Sequence, residues 1–164
     1  MQKTRNPLIF IIEDSVVYKD LIVGHLQSRK FTNLKIFKSG EECLKNIHLK
    51  PDLIILDYST QGKTGLELMV QIQKEYPETD FIFLSGQNNL EVAVKIMKIG
   101  AADYIVKNDQ APYNLVKSID HLINNTKKEK ASKGFKVGVV GFFIMLFLII
   151  MVIMFMSIFF ELEF

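Results

Sequence analysis

Four short apolar runs in this chain end in residues able to do chemistry. Leu8–Ile12 is followed by Glu13 and Asp14, and Leu53–Leu56 by Asp57. Asp80–Leu84 is followed by Ser85 and Gly86, and Asp103–Val106 by Lys107. Singly, each polar residue has an ordinary reading: Asp14 or Ser15 as a helix cap, Asp57 as a turn residue, Lys107 as a surface charge. Jointly, three acids, a hydroxyl and a lysine at four strand ends are hard to obtain from capping alone. Unit charges about 4 Å apart repel by about 4 kcal/mol at an effective dielectric near 20. Clustered carboxylates therefore raise one another's pKa unless a cation intervenes. Mg²⁺ suits such an all-oxygen site, with one or two carboxylates and several retained waters. A metal held this way can bridge to a phosphoryl oxygen during in-line transfer. Lys107 and the Ser85 hydroxyl would donate to the remaining phosphoryl oxygens. Asp57 is the candidate nucleophile, because carboxylates form acyl phosphates.

These residues need a scaffold that brings strand ends together. The runs Leu8–Ile12, Leu34–Phe37, Leu53–Leu56, Asp80–Leu84 and Asp103–Val106 lack strict alternation, as expected of strands buried on both faces of a parallel sheet. Between them the period becomes helical. Tyr18, Leu21, Ile22 and Leu26 form one apolar stripe, with Ser15 placed to cap it. Leu66, Met69, Val70 and Gln73 form a second, and Val92, Val94, Ile96, Met97 and Ile99 a third apolar segment. Gly100 stands where a helix end needs a left-handed residue. After Pro112, at a favoured first-turn position, Leu115, Ile119, Leu122 and Ile123 repeat at helical spacing. Five strands alternating with five helices predict an α/β domain whose ligand chemistry gathers at the carboxyl ends of the strands.

Charge narrows the partners. Residues 1–126 balance 15 Lys/Arg against 15 Asp/Glu, whereas 127–136 carry a net +4 and the last four residues −2. The basic surplus thus sits in a short run outside the domain, which argues against nucleic acid as a partner. Cys43, the single cysteine, excludes an intrachain disulfide or a Cys-based metal cluster and reads as a buried helix residue. His25, His48 and His121 lack metal-ligand spacing and read as partly exposed helix residues. The apolar run near the start, Leu8–Ile12, is too short for a signal peptide, which needs about 7–15 apolar residues.

The segments IIEDS, LIILDYSTQGKTGLELM, FLSGQ and AVKIMKIGAADYIVK together resemble the receiver domain of bacterial response regulators over about residues 6–125. The resemblance implies a flavodoxin-like (βα)5 doubly wound parallel sheet with strand order 2-1-3-4-5. It implies that Asp57 accepts a phosphoryl group from a histidine kinase or a histidine phosphotransfer protein. It makes Asp14 a direct Mg²⁺ ligand and Glu13 one partly through water, with Asp57 and the backbone carbonyl of Ser59 completing the protein's share. Ser85, Lys107 and the Gly86 amide would hold phosphoryl oxygens, and Tyr104 would be the switch aromatic. Two positions depart from the family pattern: Gln61 stands where proline is frequent, and Asn108 replaces the proline that usually follows the lysine. A non-proline cis bond costs about 2.5–4 kcal/mol, so the Lys107–Asn108 bond is expected to be trans.

Residues 137–160 hold no charge, and seventeen of the 24 are Leu, Ile, Phe or Val. As a helix this run measures roughly 36 Å, against about 30 Å of hydrocarbon. The sequence therefore predicts one C-terminal transmembrane helix, with membrane lipid as a partner. Lysines before the run and Glu161 and Glu163 after it place the domain on the cytoplasmic side of a bacterial inner membrane. The expected organisation is a receiver domain at 1–126, a basic linker at 127–136, the span at 137–160 and an acidic tail at 161–164.

The expected function is a membrane-tethered single-domain response regulator, a signalling domain and not an enzyme. A possible homodimer would use the face from Leu90 to Leu122. The alternatives are a phosphate sink and a non-phosphorylated receiver-like scaffold.

Overall fold

The structure is a computed structural model describing the backbone of residues 6–59 and 64–162, and the side chains of 6–59, 64–125 and 142–152. It divides into two compact units, Met1–Ile123 and Asn124–Phe164. In the first, strands β1 (Ile9–Ile12), β2 (Leu34–Phe37), β3 (Leu53–Asp57), β4 (Asp80–Ser85) and β5 (Asp103–Val106) alternate with helices. The helices are α1 (Val16–Ser28), α2 (Gly40–Asn46), α3 (Gly65–Glu75), α4 (Leu90–Ile99) and α5 (Ala111–Leu162), with a 3₁₀ turn at Ile47–Leu49. All strand pairs are parallel, in the order β2-β1-β3-β4-β5. This is the flavodoxin-like α/β arrangement expected from the sequence.

Strands with both faces covered need apolar residues at every position, and β1 and β3 are buried throughout. Their side chains still divide with the period of two that the pleat imposes. Ile9, Ile11, Leu53, Ile55, Ile82 and Leu84 pack with Ile22 and Leu26 of α1 and Leu115 and Ile119 of α5. Phe10, Ile12, Ile54, Leu56, Phe81 and Phe83 pack with Cys43, Leu68, Met69, Ile72 and Ile96 of α2, α3 and α4. Helices thus lie on both faces, which leaves the strand ends as the open edge.

The helix termini follow local chemistry. Ser15 caps α1 by accepting the Tyr18 N–H at 3.3 Å. Thr64 and Glu67 form a reciprocal capping box at α3, and Asn89 accepts two amide N–H groups at α4. Gly100 ends α4 at φ 109°, where a side chain would be strained. Gly65 is required for a different reason: a Cβ there would lie 3.0 Å from side-chain carbons of both Leu56 and Phe83.

Two stripes read from the sequence are corrected. In α1, Leu21 is half exposed. In α3 the buried residues are Leu68, Met69 and Ile72, while Val70 is exposed. The inward face therefore keeps Met69 and, in part, Leu66 but leaves out Val70, because it starts where Gly65 meets the sheet. In α4 only Ile96 is buried, and Val94, Met97 and Ile99 are exposed. Cys43 is fully buried in α2, as expected. There is no cis peptide bond among the described residues, in agreement with a trans Lys107–Asn108.

The membrane assignment is also corrected. No helix among the described residues is long and apolar enough to cross a membrane. The described side chains of the expected span are Phe142–Val152, each apolar and exposed. The single-pass inner-membrane location and its sidedness are overturned on that finding. The side chains of 126–141 and 153–164, which include the basic linker and the acidic tail, lie outside the described residues, as does Gln61.

Candidate functional site

The strand order reverses between β1 and β3, which both border the carboxyl-end crevice where doubly wound sheets bind ligands. Ile12 is paired with Leu56, so the next residues on the two strands are Glu13 and Asp57. Both are buried, at 2% and 3% exposure, whereas Asp14 is exposed. Carboxylate oxygens of Glu13, Asp14 and Asp57 all lie within 4.8 Å of one another. Such a set suits a divalent cation with oxygen ligands.

Lys107 closes the site from the end of β5. Its Nζ donates to Glu13 Oε2 and to Asp57 Oδ2, each at 2.7 Å. The lysine reaches this point because β5 is tied to β4, with the Lys107 N–H on the Ser85 carbonyl at 2.7 Å. Asp57 is held from its other oxygen too, where Oδ1 accepts the Ser59 N–H at 2.9 Å. Glu13 Oε1 accepts the Ser15 N–H at 3.2 Å. Burial pushes the Glu13 carboxyl above its ordinary value, with the Lys107 hydrogen bond opposing and the Asp57 charge adding to the rise. Burial pulls the Lys107 ammonium down, but its hydrogen bonds to Asp57 and Glu13 and their charges leave it raised. One ammonium between two buried carboxylates leaves an excess of negative charge, to which the exposed Asp14 at its mouth adds.

Ser85 and Tyr104 form a second, adjoining group. The Ser85 hydroxyl donates to the Gln87 carbonyl at 3.2 Å and accepts the Gln87 N–H at 3.1 Å. The Tyr104 hydroxyl donates to that same carbonyl at 3.0 Å. Ser85 therefore faces the loop after β4 through its hydrogen bonds. Gly86 is exposed, and a Cβ there would meet nothing within 4 Å.

Two participants escaped the sequence reading. The Gln87 backbone is the shared partner of Ser85 and Tyr104, and a main-chain acceptor carries no sequence signal. Tyr18, counted only as part of an apolar stripe, holds its ring 4.5 Å from Lys107 Nζ. Its place three residues after the Ser15 cap was the one available clue.

The response regulator receiver domain family matches this chain over residues 9–120. An NtrX-like response regulator of Rickettsia felis is 35% identical over 109 residues, covering 65% of this chain and 22% of that protein. The nitrogen assimilation regulatory protein NtrX of Azorhizobium caulinodans is 34% identical, with 65% and 23% covered. The crystal structure of the NtrX receiver domain from Brucella abortus matches with a TM-score of 0.64 at 29% identity, over 71% of this chain and 98% of that one. The chain spans about a fifth of the length of these two curated relatives. Fold and acidic site together define a receiver-type signalling domain. This chain belongs to the response regulator receiver domain family. Such domains serve two-component systems with histidine kinases as counterparts, and bind Mg²⁺ through acidic residues.

Proposed function

We propose that this chain is a phospho-accepting switch, with Asp57 as the acceptor. The observation that carries this reading is the placement of Asp57 at the end of the central strand, within hydrogen-bond reach of Lys107 and inside the Glu13–Asp14 carboxylate cluster. An Asp57 carboxylate oxygen forms the bond to phosphorus while the bond from phosphorus to the donor's histidine nitrogen breaks, its electron pair returning to the imidazole. The donor is a histidine kinase or a histidine phosphotransfer protein.

Glu13, Asp14, Asp57 and the Ser59 carbonyl would hold Mg²⁺, which when bound offsets the charge that gathers on the transferring phosphoryl oxygens. The chain's own donors complete that work. Lys107 turns from carboxylate to phosphoryl oxygen, the Gly86 amide offers a further N–H, and Ser85 exchanges its bond to Gln87 for one to the phosphoryl group. Because Tyr104 shares the Gln87 carbonyl, movement of Ser85 releases a constraint on the aromatic. The signal then reaches a groove between α4 and β5, lined by Leu90, Val94, Met97, Lys98, Asp103 and Tyr104. Leu90 there is 78% exposed, which supports a partner or a second copy of the chain on the Leu90–Leu122 face. The proposed domain limits are 1–126.

The test is phosphoryl transfer from a panel of purified autophosphorylated histidine kinases to the full chain, with and without EDTA. Label that appears only with Mg²⁺ supports the reading. A chain that takes no label from kinases or from acetyl phosphate is a receiver-like scaffold.

A further inference from the structure

Tyr18 is the third residue beyond the Ser15 cap, and its own N–H is the group that Ser15 Oγ accepts. The chain segment that delivers Glu13 and Asp14 to the site therefore also fixes where Tyr18 leaves the helix. Its ring lies beneath the Lys107 ammonium at 4.5 Å from the centroid. The phenol oxygen is buried and has no hydrogen-bond partner among the described residues. A buried hydroxyl without a partner opposes stability, so a hydrogen bond does not explain a tyrosine here, whereas the ring face has a defined contact. The same ammonium donates to Glu13 and Asp57 at 2.7 Å. It also rests over the negative face of an aromatic quadrupole, which attracts a cation without competing for a proton.

We propose that Tyr18 is a positioning residue for Lys107: its ring holds the ammonium over the acceptor carboxylate while the ammonium exchanges Asp57 oxygen for phosphoryl oxygen. This rests on the reading of Lys107 as a phosphoryl-binding group. A lysine side chain has four flexible bonds, and release from either carboxylate would otherwise let it swing toward solvent. The ring narrows that freedom. The hydroxyl has no part in this, so phenylalanine should serve equally well.

The experiment uses the full chain with ¹³C-labelled lysine in wild type, Tyr18→Phe, Tyr18→Leu and Tyr18→Met, with thermal unfolding of each to register loss of fold. The Lys107 ε-methylene protons, assigned by their absence in Lys107→Arg, should show an upfield ring-current shift in wild type and Tyr18→Phe. That shift should vanish in both ring-free variants. With acetyl phosphate and Mg²⁺, Tyr18→Phe should label within about twofold of wild type, and the ring-free variants about 3- to 10-fold more slowly. An unchanged ε-methylene shift in either folded ring-free variant overturns the proposal, as does an unchanged labelling rate. If wild type takes no label, the acceptor reading fails and the proposal fails with it, while the methylene shift still reports whether the ring holds Lys107.

Discussion

Ser85 and Tyr104 are joined through a single oxygen, the Gln87 carbonyl, which accepts a hydroxyl proton from each at 3.2 and 3.0 Å. The Ser85 hydroxyl also accepts the Gln87 N–H, so one peptide segment senses both side chains. Two donors on one acceptor partly replace each other. The stability losses of Ser85→Ala and Tyr104→Phe should therefore be less than additive, with each single change costing about 0.5–1.5 kcal/mol. A double-mutant cycle in urea measures this, and strict additivity would show that the two groups act independently.

Lys107 bridges two buried carboxylates, and its removal leaves them facing each other. Lys107→Met should lose about 3–5 kcal/mol at neutral pH. The Glu13 carboxyl is already raised by burial above its ordinary value of 4.5. A carboxyl raised in the fold contributes stability that is full below its unfolded value and lost as pH rises through the folded value. The deficit of Lys107→Met should accordingly shrink on acidification below neutrality. Urea unfolding of both proteins across that range checks the sign, and a deficit that grows in acid would refute it.

Gly65→Ala places a methyl group against Leu56 and Phe83 at 3.0 Å. Overpacking of this kind costs about 1–3 kcal/mol, partly offset by the better helix propensity of alanine. A net fall in thermal midpoint is expected. Gly86→Ala, with open space around its Cβ, should leave stability nearly unchanged.

Cys43 is fully buried, and burial pushes its thiol up to about 12 from 9.0. The raised value makes stability full below about 9 and declining as pH climbs toward about 12. The native protein should resist iodoacetamide at pH 8 and react fully once unfolded in urea. Rapid native-state alkylation would contradict the packing of α2 on the sheet.

The acids and the lysine were legible because each follows an apolar run, and parallel strands deliver their carboxyl ends to one edge. Strand limits were readable to within a residue for the same reason. Helix faces were less so: in α3, Leu66 and Val70 offered as good a period as Leu68 and Ile72, and contact at Gly65 decided between them. The membrane span rested on the composition of Val137 to Phe160 alone, and no helix among the described residues is long and apolar enough to cross a membrane. Tyr18 and the Gln87 carbonyl were hidden because a ring–cation contact and a main-chain acceptor depend on tertiary placement.

The account turns on Asp57. The full chain, phosphorylated with Mg²⁺ present, should be treated with borohydride, which reduces an acyl phosphate to an alcohol, and then mapped by peptide mass spectrometry. The expected result is homoserine at position 57 alone, lost in Asp57→Asn and when EDTA is added before the phosphodonor. Modification at another carboxylate, or undiminished labelling of Asp57→Asn, would contradict it.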